Sequence, residues 1–345
     1  KDFPENWLPL LAPPLPRGQG PGPGMGPGPG GQAPLQPPRG AVAFDAEQRI
    51  LFALSRTTDN ARHGLVAFPI DAGDAQLIEF PANVFAAACS QQIRFFQLEL
   101  SKRLVVFASA VHDAQLRNPC PSHGFIQFDL VSRQVSFTGV QGEGQFNAAP
   151  GASAEINDFV YGANTSAPPQ PRADVLHVFD GVSASAFRMN LPPEVGSFQN
   201  LQPVPQLSSL IGLATNTIPG DAGFVIFDLD RNQTRILPLP DGFASMTQAG
   251  VFLATRKLVA RGFKPGNLGS QLLIYDLVTG DLAILPNPPN IEFFGPPPQA
   301  QQPQPGQPPQ PPAQLLISNT KSNTVAAVAY DGARRQAGVI VVRIP

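Results

Sequence analysis

Apolar residues in this chain come in short runs bounded by turn formers, and one run recurs. It reads Gly124-Phe-Ile-Gln-Phe128-Asp129-Leu130, then Val175-Leu-His-Val-Phe179-Asp180-Gly181, Gly223-Phe-Val-Ile-Phe227-Asp228-Leu229 and Leu272-Leu-Ile-Tyr275-Asp276-Leu277. Looser copies are Gly64-Leu-Val-Ala-Phe68-Pro69 and Gly338-Val-Ile-Val-Val342. The steps from Phe68 through Phe128, Phe179, Phe227 and Tyr275 to Val342 are 60, 51, 48, 48 and 67 residues. A period of this size marks a repeat architecture.

Each run is rich in β-branched and aromatic residues without polar alternation, which predicts a strand buried on both faces. The Asp that follows accepts bonds from its own backbone to start a turn, and Asn232 and Gly280 suit the positive φ of a hairpin. A second strand follows each turn, at 76–80, 134–137, 186–189, 234–237 and 282–285. Several of these end at Pro, which an outer edge tolerates. Two more strands precede each run, as at 41–44 with 50–54 and at 95–98 with 104–107. The pattern predicts an all-β fold, a six-bladed β-propeller of four-stranded antiparallel blades. A solenoid would lack the hairpin turns, and paired sandwiches would not keep one period.

The phrase Tyr275-Asp276-Leu277-Val278-Thr279-Gly280 resembles the blade repeats of the bacterial WD40-like and YVTN-type β-propeller superfamily, and the resemblance covers residues 40–345. It implies a propeller and no particular function. The Gly-His and Trp-Asp marks of true WD40 repeats are absent.

The last repeat reaches only its third strand, at 339–344. Residues 6–11, carrying Trp7, Leu8, Leu10 and Leu11, read like outer strands elsewhere, such as 235–240. The expected organisation is therefore an N-terminal strand at 1–11 that completes the last blade and closes the ring, which also covers a bare edge. A Pro/Gly-rich linker at 12–39 leads to the propeller at 40–345, with a Pro/Gln-rich insertion at 296–312 between two blades. Gly on every second residue of 20–24 excludes collagen. The segment 26–31 fits a dinucleotide fingerprint only formally, with Pro inside and no strand-then-helix context. The linker exceeds what closing one ring requires, so the strand can instead complete a neighbouring molecule's blade, a route to self-assembly. The second tract reads as a solvated spacer or a polyproline II ligand for a partner.

Charged residues make up 14% of the chain and the net charge is −2, which leaves no long-range pull on nucleic acid. No apolar run approaches the ~18–20 residues of a spanning helix. Low charge, 41 prolines and a start at Lys1 rather than Met point to export and an extracellular or cell-surface location. The two cysteines, Cys89 and Cys120, fall in loops on one face of the second blade. In an oxidising compartment they are expected to form a disulfide stabilising by roughly 3–4 kcal/mol; in the cytosol they stay separate thiols.

Little else suggests chemistry. His63 and His123 hold equivalent places before a strand-opening Gly, but two histidines without clustered carboxylates make a weak metal site. Those two and His112 are expected in loops facing solvent or bonding turns, while His177 stands inside a repeated strand. Asp228-Leu-Asp230-Arg-Asn232 begins like a calcium loop but has Gln233 in the glycine place and Leu239 in place of the terminal acid. Asp129, Asp180, Asp228 and Asp276 share the turn explanation. Asn164, in a predicted exposed loop, and Asn232 begin glycosylation acceptor patterns. No catalytic set and no cofactor motif is present.

The leading reading is an extracellular or cell-surface structural or binding propeller, partnered by another protein or by itself through the N-terminal strand. A channel-centred, metal-dependent hydrolase of the lactonase or esterase kind would need ligands such as Glu99, Glu155, Asn157 and Asn319 to converge. A carbohydrate- or protein-binding module of a larger surface protein is the third reading.

Overall fold

The structure, a computed structural model, describes residues 2–10, 42–59, 61–71, 73–86, 95–109, 123–140, 145–146, 153–165, 173–216, 221–265, 269–287, 291–294, 316–319, 321–331 and 336–344. The chain divides into two compact units, 1–190 and 191–345, and each is a series of antiparallel meanders.

In the first unit, β1 (Trp7–Pro9), β2 (Val42–Asp45), β3 (Ile50–Thr57), β4 (His63–Pro69) and β5 (Gln76–Glu79) form the first meander. The second comprises β6 (Phe85–Ala86), β7 (Phe96–Leu98), β8 (Arg103–Ser109), β9 (His123–Asp129) and β10 (Val135–Val140). The third comprises β11 (Gln145–Phe146), β12 (Ser153–Ile156), β13 (Phe159–Thr165), β14 (Ala173–Asp180) and β15 (Ser185–Asn190).

The second unit begins with β16 (Val195–Val204), β17 (Ser209–Asn216), β18 (Asp221–Asp228) and β19 (Gln233–Pro238). Next come β20 (Ser245–Phe252), β21 (Lys257–Phe263), β22 (Ser270–Asp276) and β23 (Leu282–Leu285). The last meander holds β24 (Ile291–Phe294), β25 (Leu316–Asn319), β26 (Thr324–Asp331) and β27 (Gln336–Arg343).

The recurring phrase forms the third strand of each meander, and from β9 to β22 its apolar residues are buried on both faces. In the first unit, Phe52, Leu54, Leu65, Val106, Ile126 and Phe128 form the core between the first two meanders. Phe96, Phe107, Phe125, Val160 and Phe179 form the next. In the second unit, Ile211, Phe224, Leu258, Leu273 and Tyr275 form one core, and Phe252, Val259, Leu272, Ile274 and Val325 another.

The turns repeat as closely as the strands. The residue before every second strand, Arg49, Lys102, Asp158, Ser208, Arg256 or Asn323, has positive φ. Its carbonyl accepts the backbone N–H of Ile70, Leu130, Gly181, Leu229, Leu277 or Ile344, respectively, just beyond the third strand. Each bond ties the first turn of a meander to its last.

The N-terminal strand does not join the last meander as expected. It pairs with β3, placing Trp7 opposite Thr57 and Pro9 opposite Ser55, and Leu10 N–H donates to the Leu54 carbonyl. Val42 of β2 then stands opposite Ala53, the next residue of β3. Strands β1 and β2 are thus one strand, opened between Leu10 and Val42. Gly64 lies beneath the Trp7 ring: a Cβ there would stand 3.3 Å from it and 2.7 Å from the Ile78 carbonyl of β5. Trp7 and Leu10 are buried, Leu8 is exposed, and Arg62 stacks over the indole at 5.8 Å. Leu11 and the tract 12–39 lie outside the described residues.

The same opening recurs. Strands β6 and β7 lie along β8, and β11 and β12 along β13. In the second unit, β16 shifts register between Gln199 and Gln202, and β20 between Gln248 and Gly250. Strands β24 and β25 both pair with β26, so the Pro/Gln-rich tract opens a first strand rather than preceding one. That tract itself lies outside the described residues.

Candidate functional site

In a repeat, equivalent buried positions solve the same packing problem, so a buried polar residue that departs from its equivalents marks a local task. The third-strand position held by Val66, Ile126, Val225, Leu273 and Ile340 is held by His177 in β14. It stands opposite Gly162, whose missing side chain leaves space beside the ring. His123 opens β9 in the preceding meander, and both imidazoles are buried, at 1% and 0% exposure.

Their Nε2 atoms are 3.3 Å apart, with the rings nearly perpendicular at 83°. Burial pushes His123 down to about 4, and the positive charge of Arg188 adds to the effect. His177 falls to about 3, again chiefly by burial, with lesser contributions from His123 and Arg188. Asp174, in the place equivalent to His63 and His123, is pushed up by burial.

His63 and His123, expected in loops, instead open strands β4 and β9, while His177 lies within β14 as its place in the run implied. His63 is buried edge-on to Phe85, at 5.2 Å between ring centroids, and is not the partner of His123. His112 lies outside the described residues. Two neutral imidazoles in this arrangement share a proton along an Nε2–Nε2 line. They also match the spacing of two ligands of a tetrahedral zinc ion, ~3.3–3.4 Å for bonds of ~2.0–2.1 Å. Among the described residues no group of three or more metal-ligating side chains gathers there or elsewhere. The pair supplies half of such a site.

The four expected aspartates cap turns. Asp129 Oδ1 accepts the N–H groups of Val131 and Ser132, and Asp180 those of Val182 and Ser183. Asp276 takes those of Val278 and Thr279, and with the Lys257 ammonium at 2.7 Å its carboxyl is lowered to about 2. Asp228 accepts Arg231 N–H, and Asn232 has φ 51°, so the calcium-like stretch is a hairpin turn. Glu99, Glu155, Asn157 and Asn319 are exposed, and Asn319 caps the turn at Lys321 and Ser322. A hollow of about 100 Å³ is lined by Asp45, Gln48, Gln97 and Glu99 and by the Lys102–Glu47 ion pair.

Asn164 sits within β13 rather than in a loop, and Asn232 is exposed. Cys89 and Cys120 lie outside the described residues. Among the described residues no helix is long and apolar enough to cross a membrane. Sequence reading missed the His123–His177 contact, although comparing the third strands column by column singles out His177.

No family model matches the chain. No curated protein sequence matches it either. Among similar solved structures, the apocarotenoid oxygenase of Synechocystis has 12% identity over 68% of this chain, with a TM-score of 0.35. The chain spans 58% of that enzyme's length. An oligogalacturonate lyase from Vibrio parahaemolyticus shows 9% identity and a TM-score of 0.36, over 86% of this chain and 83% of its own. The β-propeller domain of the Trilobed protease from Pyrococcus furiosus shows 8% identity and a TM-score of 0.33, over 87% and 82%. The solved neighbours include propellers, and this chain is all-β with antiparallel sheets. Nothing about activity passes to it from a likeness at this level.

Proposed function

We propose that the chain is a six-bladed β-propeller serving as an extracellular or cell-surface structural and binding scaffold, able to assemble by exchange of its N-terminal strand. The observation that carries this reading is the opening of the first strand between Leu10 and Val42. These residues hold neighbouring register positions on β3, so a direct peptide bond would connect them, yet residues 11–41 intervene. Excursions of very unequal length on a constant frame are how a scaffold varies its contacts without changing its core. By chain statistics a Gly-rich sequence of this length reaches roughly 30 Å end to end, enough for β1 to occupy the same seat on a second copy. The acceptor is then the first meander rather than the last.

Light scattering and negative-stain microscopy test the assembly on the intact chain and on a variant with Leu10 joined directly to Val42. The joined variant keeps every β1 and β2 pairing but cannot exchange its strand. The expected result is concentration-dependent association of the intact chain and none for the variant. Monomers in both cases would end the exchange reading and move the search to ligands of the loops.

A further inference from the structure

Arg261 is a second departure from the repeat, in the second unit. The equivalent second-strand residues are Leu54, Phe107, Ala163, Leu213 and Val328, each paired with an apolar third-strand residue. Arg261 likewise stands opposite Leu272 and shares a face of β21 with Val259, a member of the core formed with Ile274 and Val325. Packing alone is met elsewhere by an aliphatic or aromatic side chain. A guanidinium here does something packing does not ask for.

Among the described residues, no anion faces the charge. The side chain is 7% exposed, its Nε donates to Ser270 Oγ at 3.2 Å, and its Cζ lies 4.4 Å from the centre of the Phe263 ring. Nη2 is buried with no hydrogen-bond partner. Burial lowers Arg261 to about 10, and among the described residues no carboxylate offsets the shift. The group therefore stays protonated at physiological pH. The aromatic face and one hydroxyl compensate only partly for removing a cation from water. Close by, Asn287 Nδ2 donates to the Ser270 carbonyl and braces the start of β22.

We infer that Arg261, with Ser270 beside it, binds a small oxyanion, a carboxylate or phosphate group, through the guanidinium edge that carries Nη2. Guanidinium matches the planar, two-oxygen edge of such groups and is worth most where water is excluded.

The test is thermal unfolding of the full chain in acetate, in phosphate and in chloride at matched ionic strength, for the native protein and Arg261→Leu. Leucine fills the equivalent place at Leu54 and Leu213, so the variant is expected to fold. For the native chain, Tm should rise by about 2–4 °C per tenfold increase in anion above its dissociation constant. Arg261→Leu should lose that dependence and should be at least as stable in chloride. A response to acetate alone assigns a carboxylate, and a response to phosphate alone a phosphate group. Equal responses in both proteins, or none in either anion, overturn the site. Should Arg261→Leu fail to fold, calorimetric titration of the native chain with the same two anions decides, and absence of binding heat overturns it equally.

Discussion

His123 and His177 are held neutral by burial, lowered to about 4 and about 3, whereas in the unfolded chain both titrate near 6.5. Between these limits the unfolded state binds more protons, so stability rises with pH. The contribution is complete above about pH 6.5, shrinks as pH falls, and is gone once both folded imidazoles protonate. Urea midpoints should therefore drop between about pH 6.5 and pH 4. His177→Val, which installs the residue found at Val66 and Val225, should flatten that window and leave the loss at still lower pH, below the ordinary carboxylate range, where the lowered Asp129 and Asp276 take up protons. An unchanged slope in the variant would remove the pair from the acid response. Gly181 gives a second residue-scale outcome. A Cβ there would stand 2.5 Å from Leu98 Cδ1 and 2.9 Å from the Asp158 carbonyl. Gly181→Ala should cost about 1–3 kcal/mol, visible as a lower Tm, although leucine occupies the equivalent places at Leu130, Leu229 and Leu277. The identity of the phrase residues was plain in sequence; their meetings were not. His123 and His177 lie on strands of different meanders, and no local pattern encodes which faces oppose.

At the scale of the element, strands and turns were legible because each carries its own chemistry. Observed β23 (Leu282–Leu285) coincides with its predicted range, and Asn232 and Gly280 take the positive φ expected of them. The openings of the first strands were hidden, because a Pro/Gly-rich tract reads as a linker between distant places. Only strand register shows that Leu10 and Val42 are neighbours. Removing 11–41 and joining its flanks should leave the fold intact and stabilise it by up to about 3 kcal/mol through loop-closure entropy, measured as a higher urea midpoint. A loss of stability would mean that the tract itself packs on the frame. Trp7→Ala should instead cost about 3–5 kcal/mol, since the indole is buried over Gly64 and beneath Arg62. The two changes separate the seat of the strand from the tract behind it.

For the whole molecule, the proposed ring makes a demand on the first and last sheets. The third strands from β9 to β22 are covered on both faces, but β27 leaves Val339 and Val341 at 70% and 64% exposure while Ile340 and Val342 pack inward. In the first meander, Val42 and Phe44 on β2 are 50% and 46% exposed, while Ala43 joins the core. Two apolar strand faces at opposite ends of a repeat series are what a closed ring consumes and an open one leaves wet. Val341→Thr keeps the branched shape of the last strand but adds a hydroxyl, so on a face open to water it should leave Tm within about 1 °C. On a covered face the same change should cost about 1–3 kcal/mol, read as a drop of several degrees. The drop is the result expected of the proposed ring. An unchanged Tm would mean that the last face stays wet, and the closed ring would have to be given up.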